Sequence, residues 1–134
     1  MDDIQTINLL ESVTGARAVD VVLSLGTVLF VVKKGDLGKA IGKGGSNIRK
    51  ITGALGRQVE LIEEPETLDE LLASAFAPAR LNGMEKNMAN DRTEAIVTVD
   101  PKSKGLAIGR NGEKIKRARL LAKRYFDVDE VKIF

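Results

Sequence analysis

The stretch Asp36–Ile48, DLGKAIGKGGSNI, returns as Ser103–Ile115, SKGLAIGRNGEKI, without a gap and at a constant offset of 67 residues. Gly38, Ala40, Ile41, Gly42, Gly45 and Ile48 recur as Gly105, Ala107, Ile108, Gly109, Gly112 and Ile115. A repeat at half the length of a 134-residue chain calls for two copies of one structural unit. The acidic segment Glu63-Glu64-Pro65-Glu66 lies between the copies, so the expected domains are residues 1–64 and 65–134.

The elements around each repeated loop follow one order. In the first copy a short helical segment (Ile4, Ile7, Leu10) leads to Val19–Ser24, a Leu25-Gly26 turn and the β-rich run Thr27–Val32, which together predict a hairpin. Gly35-Asp36 opens a short helix that stops at Gly42. A second helix starts near Ser46, with Ile48, Ile51 and Leu55 on one face and Gly56 at its end, and Val59–Ile62 follows as a strand. The second copy begins with a Thr-x-x-Glu capping box, Thr67 and Glu70, ahead of the apolar stripe Leu68, Leu71, Leu72, Ala75, Phe76. Strands are expected at about Arg80–Met88 and Glu94–Val99. Ser103 is expected to cap a short helix, a long helix to run to about Arg124, and Val128–Phe134 to close as a strand. Both halves read helix, strand, strand, helix, Gly-x-x-Gly loop, helix, strand, which is an α+β order.

The loops themselves, Gly42 to Gly45 and Gly109 to Gly112, sit where one helix ends and another begins. A helix N-terminus presents unpaired N–H groups and partial positive charge, which suits an anion. Glycine at both ends permits positive φ and removes the Cβ atoms that would hold a sugar-phosphate backbone away. Lys43 with Gly44, and Arg110 with Asn111, form the two interiors. A lone Gly-x-x-Gly reads first as a tight inter-helix turn with solvated cations, but a mere turn does not require the same loop chemistry twice.

Charge is segregated toward these loops. Residues 33–58 carry seven basic side chains and one acid, and residues 102–124 carry nine and one, a net +6 and +8. Against the chain total of +2, the remainder carries −12. Two basic segments centred on two glycine loops are the footprint expected for a polyanion. Lys43, Lys50, Arg110, Lys114 and Arg117 are the candidate phosphate contacts nearest the loops; Lys123 and Arg124 fit a solvated helix face equally well. Ile41, Ile48, Ile108 and Ile115 flank the loops as either groove or core.

What is missing narrows the function further. The chain has no cysteine and no histidine, which removes disulfides, thiolate and imidazole metal ligands, and Ser-His or Cys-His nucleophiles. Gly38 and Gly42 enclose three residues where a Walker loop needs four, and the glycines lie between helices rather than at the strand-to-helix turn of a dinucleotide fingerprint. Aromatic residues make up 4% of the chain, too few for the stacking platforms of RRM or OB recognition. The N-terminus shows no secretory pattern and no apolar run approaches a membrane span, so a cytoplasmic protein is expected. Glu60, Glu63, Glu64 and Glu66 are the one carboxylate group on which an enzyme reading could rest; their clustering near the domain boundary looks more like an acidic linker, and no catalytic residue, metal or cofactor is assigned.

Ile-Gly-x-x-Gly-x-x-Ile between two helices, Ile41–Ile48 and Ile108–Ile115, resembles the KH signature, and the element order resembles the type II KH fold, a three-stranded sheet packed against three helices. The loop run GDLGKAIGKGGSNI and the ending AKRYFDVDEVKI further resemble the tandem KH pair of NusA-like proteins, over nearly the whole chain. The polymerase-binding and S1 domains of bacterial members have no room here, and the chain is similar to the short archaeal members that hold the KH pair alone. The resemblance implies single-stranded RNA, nascent transcript or ribosomal RNA, as the partner, with about four nucleotides clamped at each loop. It implies a role in transcription termination or antitermination, with RNA polymerase as a second candidate partner; a KH protein of ribosome assembly or RNA processing is the alternative. A monomer is expected.

Units of this size bury only about 60% of their unfolded surface and are marginal alone. Calorimetry is therefore expected to show one unfolding transition for the chain; two well-separated transitions would contradict mutual support between the copies.

Overall fold

The computed structural model describes residues 2–24 and 26–134, so Leu25 of the expected first turn lies outside the described residues. The chain divides into two compact units, Met1–Glu64 and Pro65–Phe134.

In the first unit α1 (Asp3–Thr14) is followed by β1 (Ala18–Ser24), β2 (Thr27–Val32), α2 (Leu37–Ile41), α3 (Ser46–Leu55) and β3 (Gln58–Glu63). Helix α1 begins with a reciprocal box the sequence reading did not name: Gln5 N–H donates to Asp2 Oδ1 at 2.8 Å, and Asp2 N–H donates to Gln5 Oε1 at 3.0 Å. Gly15, at φ 75°, ends it in the left-handed region. Strand β2 is central, antiparallel to β1 and parallel to β3. A parallel neighbour requires a crossover, and α2, the glycine loop and α3 form it. The core gathers between helices and sheet, with Leu10, Phe30, Ala40 and Ile51 fully buried.

The second unit repeats the plan as α4 (Leu68–Phe76), β4 (Leu81–Ala89), β5 (Arg92–Val99), α5 (Lys104–Ile108), α6 (Glu113–Phe126) and β6 (Glu130–Ile133). Strand β5 is central, antiparallel to β4 and parallel to β6. Even the strand irregularity is duplicated: pairing shifts by one residue between Ala18 and Asp20, and again between Leu81 and Gly83, opposite the equivalent ends of β2 and β5. The second hairpin is longer, and it turns at Asn90-Asp91, both at positive φ. Val97 and Ala118 stand where the first unit has Phe30 and Ile51; α4 packs on α6 and contributes the fully buried Leu71, Leu72 and Phe76 to this smaller interior.

Two expected caps are corrected. Thr67 Oγ1 accepts from Glu70 N–H at 3.1 Å, but the Glu70 carboxylate reaches past Thr67 to accept from Glu66 N–H at 2.9 Å. Ser103 makes no side-chain cap, because its backbone is already helical (φ −101°, ψ −1°) and an N-cap needs extended backbone to aim its oxygen at the first turn. Asp100 caps instead, accepting from Lys102 N–H at 2.9 Å and starting the single turn Pro101–Ser103.

The C-terminal strand is fastened by charge. Lys123 Nζ donates to Asp127 Oδ1 at 2.7 Å and Asp129 Oδ1 at 2.9 Å, while Asp129 Oδ2 accepts from Thr93 N–H at 2.8 Å. Lys123 thus holds the end of α6 to the start of β6 and is committed to structure. The Thr93 N–H, then Lys123, hold the Asp129 carboxyl below its ordinary value, and the Asp127 and Asp129 carboxylates raise Lys123 above its own. A carboxyl lowered in the folded state contributes stability at neutral pH that is lost as pH falls through its folded value; the raised lysine contributes until pH rises through its folded value. Asp129→Ala is expected to speed hydrogen exchange at the Thr93 amide relative to the parent at neutral pH, and the difference is expected to vanish once acid has protonated Asp129. An unchanged Thr93 rate at pH 7 would contradict this fastening.

Candidate nucleic-acid interface

Both glycine loops adopt the same backbone. Gly42 stands at φ 75°, ψ 167° and Gly109 at φ 80°, ψ 170°. This region is open almost only to glycine. Each first glycine closes the preceding short helix, Gly42 N–H to Gly38 O at 2.9 Å and Gly109 N–H to Gly105 O at 3.0 Å. Each then accepts from the last loop glycine, Gly45 N–H and Gly112 N–H, at 3.1 Å in both copies.

The space for a side chain at the first glycine is already taken. A Cβ on Gly42 would meet Asn47 N and Cγ at 2.8 Å, and one on Gly109 would meet Lys114 N and Cγ at 2.9 Å. The residue five positions on therefore packs directly over the glycine. Its polar end then ties down neighbouring backbone: Asn47 Nδ2 donates to Lys39 O at 2.8 Å, and Lys114 Nζ donates to Ala77 O at 2.5 Å. Lys114 is thus placed as a brace between α6 and the end of α4.

The loop interiors face solvent. Lys43, Gly44, Arg110 and Asn111 are all exposed, and neither Lys43 nor Arg110 has a carboxylate partner among the described residues. Gly44 (φ 61°) and Asn111 (φ 56°) occupy the same left-handed position, and asparagine is the non-glycine residue that tolerates it best, which accounts for the different residues there. Gly45 and Gly112 follow at φ 78° and 71° and begin α3 and α6, with no side chain capping either helix. The first N–H groups of α3 therefore meet no acidic side chain in their own turn, whereas Glu113 stands in the first turn of α6.

The flanking residues divide. Ile41 and Ile108 are 38% and 41% exposed beside the loops, while Ile48 is partly buried against the core and Ile115 is half-buried. Lys50 is exposed on α3, but its counterpart Arg117 on α6 is only 6% exposed. Arg117 belongs to the buried stretch of α6 with Ala118, Leu121 and Ala122, so its side chain is not exposed beside the loop as Lys50 is. Arg49 was overlooked. Its Nη1 donates to Gly44 O at 2.6 Å, laying the guanidinium over the first loop. The signal for it is a basic residue one helical turn after the last glycine. The acids Glu60, Glu63, Glu64 and Glu66 do not converge; among the described residues no three carboxylates are grouped so as to hold a metal ion. No helix among the described residues is long and apolar enough to cross a membrane.

Fold and loops together define a tandem pair of KH modules, each α+β and each with a three-stranded sheet against three helices. Residues 7–67 match the family model of the KH domain, and residues 68–134 match that of the NusA-like second KH domain. The chain is 39% identical over 127 residues to the probable transcription termination protein NusA of Halococcus morrhuae, covering 95% of this chain and 91% of that one. It is 38% identical to the protein of the same description from Methanococcus vannielii, covering 98% of this chain and 76% of the relative. The crystal structure of APE1850 is similar with a TM-score of 0.82 at 29% identity, covering 98% of this chain and 97% of that chain. The chain belongs to the NusA-like family of tandem KH proteins.

Gly42→Ala is expected to destabilise the first unit by on the order of 1–3 kcal/mol, since the backbone region excludes a Cβ and Asn47 fills its place. Gly44→Asn is expected to change stability by less than about 1 kcal/mol, because Asn111 already serves there and open space surrounds the position. Urea denaturation of both variants distinguishes these outcomes; equal losses would mean that the first glycine is not specially constrained.

Proposed function

We propose that this protein is an RNA-binding transcription factor that takes part in termination or antitermination by holding single-stranded RNA at its two glycine loops. The observation that carries the reading is the identical backbone of the two loops, each with an exposed basic interior at the start of a helix, in a chain whose relatives are described as termination proteins. Phosphates would approach Gly44 and Asn111, where no Cβ or only a short polar side chain intervenes, with Lys43 and Arg110 supplying charge. Ile41 and Ile108 offer exposed apolar surface for the bases that follow. Each loop would take about four nucleotides, the span a KH loop clamps. The role is binding rather than chemistry, exercised in the cytoplasm by a monomer, with RNA polymerase as a further partner.

Lys43→Asp with Gly44→Asp, and Arg110→Asp with Asn111→Asp, place acid in the loop interiors at positions where the backbone tolerates it. Each pair is expected to weaken affinity for a mixed-sequence single-stranded RNA while leaving the thermal midpoint near that of the parent. With two to four phosphates neutralised, log affinity against log salt is expected to slope at about −1.4 to −2.8 for the parent. Double variants that bind as tightly as the parent, or a flat salt dependence, would overturn the clamp.

A further inference from the structure

The two loops share a backbone but not a set of cations, and the difference lies one turn into the following helix. In the first unit Arg49 folds back so that Nη1 donates to Gly44 O at 2.6 Å. The same Nη1 lies 3.2 Å from where a Cβ on Gly45 would stand, so the missing side chain at Gly45 is what leaves room for the guanidinium over the loop. Among the described residues no carboxylate pairs with Arg49. In the second unit the equivalent residue is Lys116, and its ammonium turns to Glu113 at 3.9 Å. Above Gly112 the nearest such neighbour is the apolar Ile115 Cγ2 at 4.0 Å, not a cation.

We propose that Arg49 is a pre-positioned phosphate fork of the first loop, giving that loop a second cation beside Lys43 that the second loop lacks. The inference rests on the RNA-clamp reading and deepens it. A guanidinium carries five N–H donors in a fixed plane, and the bond to Gly44 O uses one. That bond fixes the plane beside Lys43 and Gly44, leaving donors for the two oxygens of a phosphodiester in bidentate geometry. Because the side chain is already held in place, less rotamer freedom is lost when a phosphate arrives. The first unit thereby carries the larger share of salt-sensitive binding, although its segment has the lower formal charge, +6 against +8.

The test measures binding of the full chain to a fluorescein-labelled, mixed-sequence single-stranded RNA across a salt series, with thermal midpoints alongside. Arg49→Gln is expected to reduce the salt slope by about 0.7, the contribution of one phosphate to a single strand. Lys116→Gln is expected to leave the slope unchanged. Arg49→Lys keeps the charge and loses the fork, so it is expected to keep the slope while weakening affinity several-fold. A parent-like slope for Arg49→Gln, parent-like affinity for Arg49→Lys, or an equal loss of slope for Lys116→Gln would overturn the proposal. If Arg49→Gln behaves like the parent while the Lys43→Asp, Gly44→Asp pair still abolishes binding, the clamp stands and only the fork falls. If the parent itself does not bind, both fall.

Discussion

The close approach of one residue to the α-carbon of a glycine five positions earlier organises each unit. Asn47 over Gly42 and Lys114 over Gly109 leave no room for a Cβ, and the glycine backbone there lies in a region other residues avoid. This packing lets a short helix stop, turn through three residues and start again without a connecting stretch. The next helix then crosses back so that β3 runs parallel to β2, and β6 parallel to β5. Sheet order, helix positions and exposure of the loop interior all follow from that reversal.

Tight packing at the first glycine also leaves the interior of the same four-residue loop exposed. Gly42 and Gly109 are committed to internal contacts, whereas Gly44 has open space around it and Asn111 is exposed. The exposed loop interior is consequently held in place by contacts made at the first glycine. A backbone fixed in this way presents its N–H groups without reorganisation, which is where a loop of small residues gains over a flexible basic segment.

Much of this was legible in the sequence, because the constraints involved act locally. The duplicated Ile-Gly-x-x-Gly-x-x-Ile runs marked both loops, and the apolar stripes of α3 and α4 and the β-rich run Thr27–Val32 marked the elements around them. Side-chain roles that depend on tertiary neighbours were not legible. Lys50 and Arg117 hold equivalent positions, yet one is exposed and the other buried, a difference set by what packs on α3 and α6 rather than by helical periodicity. Lys114 Nζ donates to Ala77 O and Arg49 Nη1 to Gly44 O, and nothing in a linear sequence shows a side chain reaching a carbonyl in this way. The Ser103 cap failed for a related reason: residue type suits a cap, but only extended backbone can use it.

Formal charge misleads for the same cause, and the misreading has a direction. The second unit has more basic residues around its loop, but Lys116, Arg119 and Lys123 each hold a carboxylate at 3.9, 2.7 and 2.7 Å, and Arg117 is buried. The central strand and long helix of this unit carry Val97 and Ala118 where the first has Phe30 and Ile51. In the first unit the larger apolar side chains fill the interior, and Lys43, Arg49 and Lys50 pair with no carboxylate among the described residues. Duplication has thus kept one backbone while several basic side chains diverged: Arg119 and Lys123 tie α6 to the chain of β6, whereas Lys43, Arg49 and Lys50, like Arg110 of the second loop, are exposed with no carboxylate pair among the described residues. Net charge per segment counts both kinds alike, although a cation already paired with a carboxylate presents less field to solvent than one without a pair.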